Sequence, residues 1–278
     1  MSRAKKIFIT VDMEGITGVV DWDHVASDSS EYNHYRKLMV EDLNAAIEGA
    51  LEAGAEEIVV SDSHGRMRNL QPWEVNEAAH LIRGSPKPYS MMAGIDEGFD
   101  AALFVGYHAM RGTENAILCH TYTLGVMAAY VNGVQMGEFG LNASLAGYFG
   151  VPAVFVAGDE AVTKEARSLV PGIHAAPVKY GMGRFAAKCL PPKKSTALIK
   201  KKATEALKDA GSVKPLRVDG PVEFRLEFSS ATMVDYASIL PYVERVDGRT
   251  VVGAFDDYPT ALKGLLGAIY ISSMAARK

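Results

Sequence analysis

With 278 residues, 48% of them apolar and 22% charged, the chain has room for one large or two smaller domains and the composition of a soluble globular protein. A formal charge of −4 and a pI near 6.0 argue against nucleic acid or an anionic membrane as the main partner. Two cysteines, Cys119 and Cys189, supply no disulfide framework, the apolar stretch after the basic start is too short for a signal peptide, and no run approaches the ~18 apolar residues of a membrane span, so the expected location is the cytoplasm.

Taken in order, Ile7–Val11 is a β-branched, apolar run of strand length that ends in Asp12-Met13-Glu14-Gly15. Side chains two apart on a strand share a face, so Asp12 and Glu14 repel each other unless a cation compensates them. Residues 16–32 read as a loop. Residues 33–53 carry Leu38, Met39, Leu43, Ala46, Ile47 and Ala50 at helical spacing, and Gly54 stands where a C-terminal cap belongs. Glu57–Ser61 is a second strand, which makes a right-handed βαβ unit with parallel pairing. It runs into Asp62-Ser63-His64-Gly65. His80–Arg83 reads as a short strand, and Ala101–Gly106 as a core strand followed at once by Tyr107-His108.

Ala116–Thr121 and Ala128–Val131 read as further strands, and Asn132-Gly133 is a two-residue hairpin signal. Glu138 opens a helix that Gly150 closes, residues 152–157 form a core strand, and Gly158-Asp159 caps a helix through Leu169. Beyond about 170, prolines punctuate the chain. A Lys-rich helix follows over 193–210, then an alternating strand at 222–228, a pairing segment around 250–252 and a helix after Pro259. The expected architecture is a three-layer α/β/α core with a mostly parallel sheet, plus a smaller C-terminal α+β subdomain. The expected boundary divides a catalytic domain at 1–170 from a subdomain at 171–278 that contributes oligomer contacts.

Three core strands thus deliver metal-capable residues at their C-terminal ends: Asp12 and Glu14, Asp62 and His64, and His108. In open parallel sheets the ligand site lies outside those ends. Glu138 projects from a helix start, where a first-turn carboxylate is also favoured by the helix dipole alone. Asp, Glu, His, His and Glu form a mixed nitrogen and oxygen set suited to zinc or a similar divalent ion, and five such residues exceed the needs of one catalytic zinc. A two-metal site with one carboxylate shared between the ions fits that number. His120 reads either as a satisfied core histidine or as a proton donor, and Cys119 as buried and inert.

In Asp12-Met13-Glu14-Gly15, Asp62-Ser63-His64, Gly106-Tyr107-His108-Ala109 and Gly137-Glu138-Phe139-Gly140-Leu141-Asn142-Ala143, the chain resembles the M55 family of metallopeptidases, the D-aminopeptidases of the dipeptide-transport-operon type. The family's opening motif is Ser-x-Asp-x-Glu-Gly, and here Thr10 keeps the hydroxyl. The resemblance implies two Zn2+ per subunit; Mn2+ or Co2+ suits the same donors. It assigns Asp12, Glu14, His64, His108 and Glu138 as ligands, with Asp12 bridging, and His120 as the catalytic histidine. It further implies hydrolysis of the N-terminal bond of short D-residue peptides by a metal-activated water. The oligomer it implies is a homodecamer of two stacked pentameric rings. The same ligand set also suits a two-metal phosphoesterase, for which Arg66, Arg68 and Arg111 lie near the ligand loops, or a metal-stabilised assembly protein without turnover.

Overall fold

The computed structural model describes residues 4–277. The strands and helices in chain order are β1 (Lys6–Val11), α1 (Tyr32–Ala53), β2 (Glu57–Asp62), β3 (Ala79–Ile82), β4 (Ala101–Tyr107), β5 (Val126–Val131), β6 (Val134–Gln135) and α2 (Glu138–Tyr148). Then come β7 (Ala153–Asp159), α3 (Glu160–Leu169), β8 (His174–Gly181), β9 (Ala187–Cys189), α4 (Pro192–Lys208), β10 (Val222–Phe228), α5 (Ala231–Ala237), β11 (Glu244–Arg245), β12 (Thr250–Phe255) and α6 (Tyr258–Ser272).

Seven strands form one sheet in the order β3-β2-β1-β4-β7-β8-β9. All neighbours pair in parallel except the edge strand β9. The central strands are buried on both faces, which is why β1, β4 and β7 read as unbroken apolar runs rather than alternating ones. The strand order runs outward from β1 to β3 on one side and from β4 to β8 on the other. With the right-handed crossovers general to such sheets, α1 falls on one face and α2–α3 on the other, and α4 packs on α1, as expected of three layers. The winding reverses between β1 and β4, and the C-terminal mouth there is the switch point at which open α/β sheets bind ligands.

A second, antiparallel sheet has the order β11-β12-β10-β5-β6 and packs on α6, which also packs on α2. Asn132 (φ 46°) and Gly133 (φ 79°) make the β5–β6 turn with both central residues left-handed, the geometry anticipated from Asn-Gly. The two sheets do not divide at the expected 170/171 boundary. Strands β8 and β9 extend the parallel sheet, while β5 and β6, from before residue 136, join the smaller one.

One expected strand is not formed, and one unexpected strand is. Residues 116–121 form turns, not a strand. Leu118 (φ 50°) and Tyr122 (φ 58°) are left-handed there, and the segment bonds to its surroundings, Ile117 N–H to Asp159 and Leu118 N–H to the Arg184 carbonyl. The proline-marked stretch after 170 holds β8, although Pro177 has no N–H to give the ladder; the pairing with β7 slips one step beyond it.

What makes β8 matter is Lys179. Its side chain is fully buried, and its ammonium donates to the carbonyls of Glu14 (2.5 Å), Ile16 (2.9 Å) and Val19 (2.6 Å). From the other side Asp42 of α1 accepts from the N–H and the hydroxyl of Thr17, both at 2.9 Å. The loop after β1 is therefore held between two buried charges of opposite sign. Gly15 completes it: a Cβ there would lie 1.9 Å from the Tyr107 carbonyl, so only glycine lets the loop press against the end of β4. Replacing Lys179 by Met strands three buried carbonyls and is expected to cost about 3–5 kcal/mol. Denaturant unfolding at an unchanged m-value measures it, and a loss under about 1 kcal/mol contradicts the clamp.

Burial raises Asp42 from its ordinary 3.8 to about 6, against the hydrogen bonds from Thr17 and the charge of Lys179. The folded state therefore holds the Asp42 proton more tightly than the unfolded chain does. That contribution is complete below about pH 4 and is lost as pH rises through 6. Relative to the native protein, Asp42→Asn should gain on the order of 3 kcal/mol between acid and neutral pH. Paired unfolding curves across that range check it, and a flat difference rejects it.

Candidate metal centre

Asp12 and Glu14 leave the end of β1 at the switch point, and both are buried. The Gly15 N–H donates to the Gly106 carbonyl at 2.8 Å, and the Asp12 N–H to the Val105 carbonyl at 2.9 Å. These bonds tie the β1 exit to the β4 exit, and so bring His108 to Asp12. His64 follows β2, Glu138 is the first residue of α2, and His120 sits on the 116–122 turn. Six of the sequence-predicted residues thus meet in one place.

His64 Nδ1 lies 3.3 Å from Asp12 Oδ1 and 3.1 Å from Glu14 Oε2. His108 Nε2 lies 3.5 Å from Asp12 Oδ2 and 3.4 Å from Glu138 Oε1. His120 stands further back, its Nε2 3.9 Å from Glu14 and 3.8 Å from Glu138, with its ring stacked on His108 at 4.2 Å between centroids. Donor atoms of Asp12, Glu14 and His64 lie within 4.8 Å of one another, and so do those of His108, His120 and Glu138.

The outer nitrogen of each ring meets a backbone carbonyl: His64 Nε2 that of Val25 (2.9 Å), His108 Nδ1 that of Ala109 (3.1 Å) and His120 Nδ1 that of Leu118 (2.9 Å). A carbonyl only accepts, so the outer nitrogen carries the proton in each ring. The inner nitrogen of a neutral ring then turns a lone pair toward carboxylates, which is repulsive unless a cation sits between them. Asp12 Oδ2 and His108 Nε2, both buried, have no hydrogen-bond partner. A carbonyl-anchored imidazole with its free nitrogen facing carboxylates is how metal-bound histidines are held, so the nitrogen and oxygen donors present fit a divalent ion such as zinc.

The buried carboxylates also draw positive charge toward the rings of His64 and His108. Burial, reinforced by Glu14 and Glu138, raises Asp12 to about 7. Burial also opposes ionisation of Glu14, but the charge and hydrogen bond of His64 override it and hold this carboxyl well below the usual range. Burial disfavours charge on His64 and His108 too, yet Glu14 for the first and Glu138 for the second push them well above an ordinary imidazole. His120 moves the other way, lowered by burial and by the charge of His108.

Supports arrive from segments that carry no motif. The Tyr122 N–H donates to Glu138 at 2.7 Å. The Arg184 guanidinium donates to the Cys119 carbonyl at 3.2 Å, and the Arg184 carbonyl accepts from Leu118 N–H at 3.0 Å, so the β8–β9 hairpin props the turn that bears His120. The Trp22 ring meets His120 edge-on at 5.5 Å. Beneath the site, the Thr10 hydroxyl joins Ser63 (2.8 Å) and Tyr107 (2.9 Å), and Asn142 continues the buried chain to Tyr107 (3.0 Å) and Tyr122 (3.2 Å).

Asp62, which the sequence groups with the metal-capable residues, does not join the cluster and does not touch the His64 ring. Its carboxylate accepts from Asn69 N–H (2.6 Å), Asn69 Nδ2 (2.7 Å) and Leu70 N–H (2.8 Å), which fixes the loop behind His64. Arg111 donates to the Leu124 carbonyl at 2.6 Å, whereas Arg66 and Arg68 line a cavity beside His64. The cluster opens into a pocket of about 200 Å3 that Met67, Ser90, Met91, Tyr122 and Tyr270 also line. Tyr270 comes from α6 and reaches Ser90 Oγ at 3.1 Å.

A family model for peptidase M55, described as D-aminopeptidase, matches residues 5–266. The D-aminopeptidase of Bacillus subtilis (strain 168) is 39% identical over 247 residues, covering 89% of this chain and 90% of that protein. The structure of the Zn-dependent D-aminopeptidase DppA from Bacillus subtilis, described as a self-compartmentalizing protease, superposes with a TM-score of 0.94 at 37% identity, over 96% of this chain and 97% of that one.

Proposed function

This chain belongs to the M55 peptidase family of D-aminopeptidases, and from that premise we propose that it is a zinc-dependent aminopeptidase that removes the N-terminal residue from short peptides beginning with a D-amino acid. The observation that carries the reading is the set of three carbonyl-anchored imidazoles whose free nitrogens face buried carboxylates.

Asp12, Glu14 and His64 would hold one ion, and Asp12, His108 and Glu138 a second. Asp12 is the shared residue because its two oxygens face different histidines, Oδ1 toward His64 and Oδ2 toward His108. Two divalent ions there would supply Lewis-acid polarisation of a peptide carbonyl, acidify a water for attack and compensate the carboxylates. Mn2+ or Co2+ suits the same donors.

His120 handles the proton. Its Nδ1–H is committed to the Leu118 carbonyl, and burial keeps the ring neutral, so Nε2 faces the cleft as a base. It accepts a proton from the attacking water and returns it to the leaving amine. Met67, Met91 and Tyr122 wall the small pocket and keep bulk water from the reacting bond, with Tyr270 at its rim. The proposed enzyme assembles as a homo-oligomer, a decamer of two stacked rings, in the cytoplasm. The exposed apolar side chains Trp73, Met182 and Ile239 give it surface to bury, and no helix among the described residues is long and apolar enough to cross a membrane.

Elemental analysis of the purified protein, paired with hydrolysis of D-Ala and L-Ala dipeptides, tests the reading. Asp12→Ala should lose bound zinc and activity together, and a fully active, metal-free variant would refute it. His120→Gln should keep its zinc while kcat falls by about 10²–10⁴-fold. Equal turnover in that variant would remove His120 from the chemistry.

A further inference from the structure

The loop that delivers His64 does more than supply an imidazole. Its next residues alternate: Gly65 and Met67 line the 200 Å3 pocket, while Arg66 and Arg68 line an adjoining cavity of about 560 Å3, which shares His64 and Gly65 with the first. That volume falls in the range of roughly 300–1,000 Å3 typical of small-ligand sites. The other walls include Tyr32, Asn69 and residues 25–28.

The loop is held rigidly at its base. Asp62 accepts from the Asn69 and Leu70 N–H groups, and Asn69 Nδ2 donates to the His64 carbonyl at 2.8 Å. Nearby arginines are used up internally. Arg36 pairs with Glu74 at 2.8 Å, and Arg83 bonds to Gln71 and to the Arg68 carbonyl. Arg66 and Arg68 are exposed and make no such bond among the described residues. Asp28 lies on the same cavity wall, and among the described residues it pairs with neither.

A peptide with its N-terminal residue at Asp12 and Glu14 has its C-terminal carboxylate ~7–11 Å away if two or three residues long. The adjoining cavity beside His64 offers that group two guanidiniums whose planar forks match a carboxylate. We infer that Arg66 and Arg68 form a carboxylate subsite that selects di- and tripeptides with a free C-terminus over C-terminally blocked or longer chains. The inference rests on the aminopeptidase reading but can fail separately from it.

The test compares D-Ala-D-Ala with its C-terminal amide on the zinc-loaded protein, alongside calorimetric titration with the N-acetylated acid and N-acetylated amide, which lack the free amine an aminopeptidase needs. The native protein should prefer the acid by about tenfold in kcat/KM, through KM, and bind the N-acetylated acid more tightly by a similar factor. In R66Q/R68Q both ratios should fall toward one, and R66K/R68K should retain part of each. A ratio of one in the native protein, or a ratio that survives in R66Q/R68Q, overturns the subsite. If neither dipeptide is cleaved, the aminopeptidase reading fails and the titration alone decides: tighter acid binding that is lost in R66Q/R68Q upholds the subsite, and equal binding of acid and amide overturns it.

Discussion

Asp12, Glu14 and Glu138 bring three carboxylates into a space a few ångströms across, all of them buried. Leaving such charges uncompensated costs several kcal/mol per ion, and among the described residues no lysine or arginine pairs with them; the buried Lys179 spends its ammonium on backbone carbonyls instead. Each imidazole spends its outer N–H on a backbone carbonyl and turns its inner nitrogen to the carboxylates, so compensation requires a cation at that nitrogen, a proton or a metal ion. Much of the surrounding architecture serves to hold that charge arrangement still. A strand end alone could not, since adjacent carboxylates would swing apart toward water.

The rigidity has a traceable route. Lys179 and Asp42 grip the loop that follows β1 from opposite sides, Gly15 lets it lie against β4, and Asp62 ties down the loop beyond His64. Each is a buried polar group with its partners in place, so each would be costly to break and none needs to touch a ligand. The centre opens on one side to a small pocket, with a larger cavity beside His64.

The two sheets divide labour along lines other than chain order. The parallel sheet carries the donor-bearing strand ends, while the antiparallel sheet and α6 bring Tyr270 to the rim of the pocket. The β8–β9 hairpin, contributed by residues far from any motif, props the turn beneath His120. Truncating the chain near residue 170 would therefore remove both the clamp and the prop while leaving every sequence-predicted donor in place.

Read alone, the sequence determined the parallel α/β order, the hairpin at Asn132-Gly133, most helix limits and the residues that meet at the strand ends. These follow from periodicity, from turn chemistry and from the rule that parallel strands present their C-terminal ends together. The turn at 116–122, the strand containing Pro177, the membership of β8 and β9 in the main sheet and the true partners of Asp62 were decided only by tertiary structure. In each case local preference was weak or pointed elsewhere: Ala116-Ile117-Leu118-Cys119 is as apolar as a strand, and a lone Lys179 among apolar neighbours carries no motif. Long-range hydrogen bonds to Asp159, Arg184 and the carbonyls of the β1 loop settle those segments, because satisfying a buried polar group outweighs the small free-energy differences among local backbone conformations.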